Sequence, residues 1–273
     1  MAGRVSTLAR VLDLTADGED GFVGPANGPA GKRAYGGHLA AQALAAACRT
    51  VPAPKTPTGV HVQFLRGADA GEPVRYTVER VHDGRTTASR RVLGRQGDRV
   101  AISATVLFAA PAPGPEHTDH PSAHQDPEAL PPTGPIGPAP SLPLDEIDIR
   151  IADEACGSTE FVRRLWWRAT APLPDDPALH ACAALYVTDI YGVDPVLAVH
   201  GCSMTDRSHH AATTDSSTWF HAPVRAGEWN LLESRSPAAA RGRGVMTAGL
   251  YDAAGRRVAT VVHEGQAATR DGA

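Results

Sequence analysis

The stretch Ala212-Thr213-Thr214-Asp215-Ser216-Ser217-Thr218-Trp219-Phe220-His221-Ala222-Pro223 sets hydroxyls and a carboxylate directly against an aromatic, strand-like segment. That order suits a loop delivering reactive side chains to a strand that holds them still. The same Ser/Thr cluster also suits a turn or a strand-end cap. A second candidate is Tyr35-Gly36-Gly37, where two glycines stand before an alanine-rich run from His38 to Cys48. Without side chains, they would let a ligand carbonyl or phosphate approach the amides of a helix start, or they simply punctuate a turn. His117, His120 and His124 invite a metal-site reading, but their proline-broken setting favours solvated loop histidines. Cys48, Cys156, Cys182 and Cys202 form no Cys-x-x-Cys pair, which leaves reduced, packed side chains. Cys182 has no activating partner that the sequence names.

These groups must be held by regular elements, and the pattern supplies them. The run from His38 to Cys48 predicts an apolar helix small enough in cross-section to be wrapped by a sheet. Alternating strands follow at 59–65, 74–81, 86–93 and 99–108, separated by turn signals at Asp83-Gly84 and Gly97-Asp98. From Ala109 to Pro143 the chain turns to proline, glycine, histidine and acidic residues, a linker or surface-hugging connection. Strands at 144–151 and 161–169 come next, then a helix opened by Asp175-Asp176-Pro177 and running toward Asp189. Four further strands are expected at 217–222, 229–236, 244–251 and 256–265. Gly97-Asp98-Arg99-Val100-Ala101 and Gly255-Arg256-Arg257-Val258-Ala259 are matching turns into the last strand of each half, the mark of a duplicated unit. Two such units pairing their sheets edge to edge would cover both helices on one side and leave a cleft between them.

Length and charge narrow the functions. The 273 residues suffice for one large domain or two ordinary ones. A net charge of -4 and a pI near 6.3 disfavour a nucleic-acid partner. Met1 to Leu14 lacks the continuous apolar run of a signal peptide or membrane span, so the expectation is a cytoplasmic protein with no membrane partner.

In order along nearly the whole chain, the residues resemble the acyl-CoA thioesterase II family. The first half contributes Arg33-Ala34-Tyr35-Gly36-Gly37-His38 with Gln42-Ala43-Leu44, Val60-His61 with Phe64-Leu65-Arg66 and Asp69, and Arg80 with Asp83-Gly84. The second half contributes Pro174-Asp175-Asp176, Tyr186 with Asp189, Ala212-Thr213 with Asp215 and Trp219-Phe220-His221, Glu228-Trp229, Ala240-Arg241-Gly242, and Val262 with Glu264-Gly265. The resemblance implies an α+β double hotdog fold, two tandem helix-plus-antiparallel-sheet units whose sheets join into one. The first unit would span 1–110, the Pro-rich linker 111–143 and the second unit 144–273.

The activity implied is hydrolysis of an acyl-CoA thioester by an activated water, without cofactor or metal. The catalytic aspartate is similar in position to Asp189 and the threonine to Thr213, with Thr214 and Asp215 as neighbouring competitors. His263 stands where the family has a glutamine, and imidazole can take a proton where an amide only orients water. Tyr35, Gly36 and Gly37 would meet the substrate, and Arg66, Arg163 and Arg168 would serve a phosphate or only the surface. The family pattern further implies a homo-oligomer. The histidine keeps two alternatives open, a hotdog enzyme turned to hydration or dehydration of a thioester and a non-catalytic acyl-binding protein.

Overall fold

The computed structural model describes residues 6–122, 125–133, 146–156 and 160–270. Its spine is a twelve-stranded antiparallel sheet in the order β1-β2-β4-β5-β6-β3-β9-β12-β11-β10-β8-β7. In the first half, β1 (Thr15–Ala16), β2 (Gly21–Gly24), β3 (Thr56–Phe64), β4 (Val74–Asp83), β5 (Thr87–Gln96) and β6 (Arg99–Ala109) follow a six-residue helix, α1 (Thr7–Leu12). Helix α2 (Gly36–Cys48) lies between β2 and β3. The second half comprises β7 (Ile147–Cys156), β8 (Glu160–Ala169), α3 (Pro177–Thr188), α4 (Asp194–Ala198), β9 (His209–Phe220), β10 (Asn230–Ala240), β11 (Arg243–Tyr251) and β12 (Arg257–Thr269).

The halves meet where β3 pairs with β9, in a register running from Gly59 opposite Trp219 to Gln63 opposite Asp215. Two potential sheet edges are thereby removed, and the expected single extended sheet results. The matching turns also hold, since Gly97 and Gly255 both take positive φ (56° and 77°) at the hairpins into β6 and β12.

Helices α2 and α3 pack against each other under the sheet because alanine keeps them thin. Ala40, Ala43, Ala47, Ala181 and Ala184 are all buried, and a larger side chain at such a position would cost about 1–3 kcal/mol in overpacking. Asp176 caps α3 by accepting a hydrogen bond from the Ala178 amide at 2.9 Å, with Pro177 in the first turn. Buried Gln42 ties α2 to the N-terminal segment, donating to the carbonyls of Val11 (2.7 Å) and Pro25 (3.1 Å) and accepting from the Tyr76 hydroxyl. Its polar atoms are thus satisfied in an apolar setting.

One expectation needs correction. Strand β9 starts at His209, eight residues before the predicted position, so Thr213 lies within a strand and not in a loop leading to one. The hydroxyl-rich run reads as loop only because its polar groups are mistaken for solvent-facing ones, whereas Ser216 and Thr218 are buried. Of the two readings of the Pro-rich connection, its described residues take the surface-hugging one, lying against the second half. Asp119 pairs with Arg257, the His120 ring bonds the Gly255 carbonyl at 3.0 Å, and Ser122 donates to Glu233 at 2.7 Å. Leu130 packs on a small cluster of Trp166, Leu231 and Tyr251. His124 and the predicted strand start at Leu144 lie outside the described residues.

Candidate active site

Asp189 is the residue at which α3 stops, and its carboxylate meets the first turn of α2. The two helices run in opposite directions, so the end of one reaches the start of the other. That approach depends on Gly36 and Gly37. A Cβ on Gly36 would lie 2.5 Å from Asp189 Oδ2, and one on Gly37 would lie 2.4 Å from the Tyr186 carbonyl oxygen. The Gly37 amide donates to the Asp189 carboxylate, as expected for an anion at a helix N-terminus. Tyr35 fixes the contact from the other side, its hydroxyl donating to the Tyr186 carbonyl at 2.5 Å while the two rings stack edge to face.

Thr213 approaches Asp189 from the sheet and donates to its Oδ1 at 3.0 Å. Local irregularity aims it there. Opposite β12 the register slips by one residue, Glu264 facing Asp215 while Gly265 faces Thr213, and such bulges re-aim side chains. Gly265 is required at the slip, because a Cβ there would come within 2.5 Å of the Ala212 carbonyl oxygen.

His263 extends from β12 into the same place with no solvent exposure, its Nδ1 3.8 Å from Asp189 Oδ1. Neither ring nitrogen has a hydrogen-bond partner within the protein. Such a buried, unsatisfied imidazole is costly unless it serves something that binds there.

Gly192, in the turn after α3, closes the cluster. A Cβ at this residue would sit 2.8 Å from His263 Nδ1, 2.8 Å from Thr213 Oγ1 and 2.9 Å from Asp189 Oδ1. Three polar atoms from three elements therefore converge on one small region against a bare Cα. The sequence signal for Gly192 was slight, a Tyr-Gly pair resembling ordinary turn punctuation. Tyr191 beside it takes a left-handed φ of 60° and lies over the Arg163 guanidinium.

Burial governs the electrostatics. The Asp189 carboxyl is raised from 3.8 to about 6 by desolvation, against the opposing pull of the Thr213 and Gly37 hydrogen bonds and the Arg33 charge. His263 is lowered from 6.5 to about 4 by burial. Above pH 6 the pair is therefore a carboxylate beside a neutral imidazole. An acceptor with a pKa near 6 suits proton abstraction near neutrality, whereas one near 4 is a poor base there.

The competing residues sit elsewhere. Thr214 donates to Glu264 Oε2 at 2.6 Å in a cluster with Arg243, away from Asp189. Asp215 lies on β9 next to Glu264, and desolvation, with the Glu264 charge, raises its pKa. Cys182 is buried against Cys48, whose hydrogen bond, together with desolvation, raises its thiol well above 9, which makes it inert. Arg163 is bound to Asp153 and Asp194, and Arg168 to Glu128 and Asp148. Arg66 instead lines an open groove of about 570 Å³ that leads to Thr213.

Models of the acyl-CoA thioesterase N-terminal and C-terminal domains match residues 25–109 and 117–267. A solved structure of acyl-CoA thioesterase II TesB2 from Mycobacterium marinum is 31% identical, with 98% of this chain and 100% of that chain covered and a TM-score of 0.83. Human acyl-coenzyme A thioesterase 8 is 29% identical over 94% of this chain and 88% of the human protein. Acyl-CoA thioesterase 2 of Haemophilus influenzae is 24% identical over 94% and 93%. On the two domain matches and the full-length likeness, the chain belongs to the acyl-CoA thioesterase II family.

Proposed function

We propose that this chain hydrolyses acyl-CoA thioesters with Asp189 as general base, the convergence of Asp189, Thr213 and His263 against Gly192 being the observation that carries the reading. A water held by Thr213 Oγ1 and a ring nitrogen of His263 gives a proton to the Asp189 carboxylate as its oxygen attacks the thioester carbonyl carbon. The electron pair of the C=O bond moves onto oxygen, where free amides of the first turn of α2 stabilise it. Collapse of this intermediate breaks the C–S bond, releasing the carboxylic acid and the coenzyme thiolate, and the proton on Asp189 returns to sulfur or to solvent.

Burial gives each group its part. Desolvation raises the basicity of Asp189 and lowers that of His263, so the imidazole serves as a neutral hydrogen-bonding group in the place of an amide. Gly36, without a side chain between Asp189 and Phe64, admits the thioester, with Tyr35 and Gly37 fixing the wall beside it. A histidine-based dehydration would need a stronger base than an imidazole near 4.

The proposal includes two units, 1–110 and 144–273, joined by the Pro-rich linker 111–143, and a cytoplasmic homo-oligomer. No described helix is long and apolar enough to cross a membrane. The test is thiol release from short-, medium- and long-chain acyl-CoA. Turnover on some chain length, lost by at least about a hundredfold in Asp189→Asn, is expected. Absence of thiol release on every chain length would overturn the proposal.

A further inference from the structure

The turn that follows Asp189 is bent in a way its own residues do not favour. Tyr191 holds a φ of 60°, a left-handed conformation costly for a residue with a Cβ, and such backbone persists only where the surroundings fix it. Gly192 comes next, and its Cα walls the space that Asp189 Oδ1, Thr213 Oγ1 and His263 Nδ1 share. Whatever fixes Tyr191 therefore sets the room left for one water.

Arg163 of β8 supplies the fixing. Its guanidinium lies 4.4 Å from the centre of the Tyr191 ring and 5.3 Å from that of Phe161, a cation–π arrangement. The guanidinium is itself held. Nε and Nη2 donate to the two carboxylate oxygens of Asp153 at 3.0 and 2.8 Å, and Nη1 donates to Asp194 at 2.6 Å. Asp194, buried at the start of α4, also accepts from the Met204 amide at 2.7 Å. One side chain thus grips the turn on both sides of Gly192, by the ring at 191 and the carboxylate at 194, and ties it to β7 and β8. These bonds are charge-assisted, and the pair with Asp153 is bidentate, a geometry that arginine offers and lysine does not. On its other side the turn is packed on the sheet, since a Cβ at Gly265 would come within 2.4 Å of Val193 Cγ1.

Resting on the hydrolytic reading above, we infer that Arg163 is a positioning residue for the reaction: through Tyr191 and Asp194 it holds Gly192 against the catalytic groups, so that the site fixes one attacking water and shuts out bulk solvent. A turn released from Arg163 draws Gly192 away, opens the Asp189 carboxylate to solvent and leaves the water without a defined place. Relief of desolvation lowers a carboxyl pKa, so release moves Asp189 down from about 6 toward 3.8. Loss of a nearby positive charge by itself would move it up. The direction of the shift separates the two effects.

The experiment uses Tyr191→Leu, Tyr191→Phe and Arg163→Met/Asp194→Asn. Leucine keeps a Cβ at the left-handed position and gives up the ring. The double variant removes both charges together, because Arg163→Met alone would strand the buried Asp194 carboxylate. In Tyr191→Leu and in the double variant, kcat on acyl-CoA is expected to fall about tenfold with KM within about threefold, and the acidic midpoint of kcat/KM to fall by about one pH unit. Tyr191→Phe retains the ring and should match the wild type in all three quantities. His263, Tyr35 and Arg33, which face Asp189 from the neighbouring elements, are the same in every variant. A lower Tm with the kcat and midpoint of the wild type would reduce Arg163 to a fold contact and overturn the inference, as would a midpoint that rises. The shift is also read without turnover, by adding Asp189→Asn to each protein and following the stability difference with pH. In the two released variants the window over which Asp189→Asn changes stability should close from its upper end by about the same unit. If that window closes while no protein, wild type included, releases thiol from acyl-CoA, the hydrolytic reading fails and the hold of Arg163 on the Asp189 environment stands.

Discussion

Replacing Asp189 by asparagine should make the protein more stable at neutral pH and lose that advantage in acid. The carboxyl sits about two pH units above its ordinary 3.8 because it is buried with 11% of its side chain exposed. At about 1.4 kcal/mol per unit, the folded state bears on the order of 3 kcal/mol for holding the ionised form. The sign follows from proton binding. Between 3.8 and about 6 the folded chain keeps a proton that the unfolded chain has released, so this group's contribution to stability falls as pH rises through that window. Below 3.8 both states are protonated and the cost vanishes. Asparagine still accepts from Thr213 Oγ1, but its NH₂ faces a site built for an anion, an offset of about 1 kcal/mol. The net expectation is a gain of about 2 kcal/mol at pH 8, or about 4–8 °C in Tm for a chain of this size, which crosses zero between about pH 4 and 5 and becomes a loss of about 1 kcal/mol in stronger acid. Buried Trp166 and Trp167 report unfolding by fluorescence. His263 and His38, both lowered to about 4, titrate in the overlapping window from 4 to 6.5 with opposite sign. The wild-type curve alone therefore hides the effect, and the difference between variants reveals it. An asparagine variant that is less stable at pH 8, or a difference that does not change with pH, would refute the claim that burial strains this carboxylate.

The surrounding groups should respond according to what each touches. His263→Gln should keep hydrolysis within about tenfold, since one neutral hydrogen-bonding group replaces another, and a collapse in kcat would make the imidazole the base. Gly192→Ala should lower kcat by about 10- to 100-fold and cost about 1–3 kcal/mol, because its methyl would press on three polar atoms at once; full activity would dissolve the convergence. Thr213→Val should lose about a hundredfold in kcat while Thr213→Ser stays within a few-fold. The valine variant should also move the acidic limb of the pH profile upward, since the Thr213 hydrogen bond holds the Asp189 pKa down.

The elements that read well from sequence are those whose surroundings are uniform. Helix α2 is buried nearly all round and announces itself by its run of alanines, whereas strands such as β4 and β6 have one buried and one open face, so periodicity identifies them within a few residues. Strand β9 read poorly because its inward face carries Ser216, Thr218 and Thr213, hydroxyls buried by the joining of two sheets that no local pattern reports. Short α1 was hidden in an arginine-rich segment, although Leu8, Val11 and Leu12 complete the core. At the site, family likeness pointed to Asp189 and Thr213, which the fold brings into hydrogen-bond contact. Gly192 was not legible, because its meaning lies in a contact between a turn and two strands distant in sequence. The two readings of the Pro-rich connection stayed open in the sequence, since a segment that cannot build a core can still bind one through Asp119, Ser122 and Leu130.

The role of Asp189 is tested most directly by the pH dependence of kcat/KM for an acyl-CoA, measured in parallel for the wild type and His263→Gln. Both should show one acidic limb, falling about tenfold per pH unit below a midpoint near 6 and level above it, because the base must be ionised and the histidine does not titrate there. A limb that is centred near 4, or one that disappears when the histidine is replaced, would show that Asp189 is not the group that takes the proton from water.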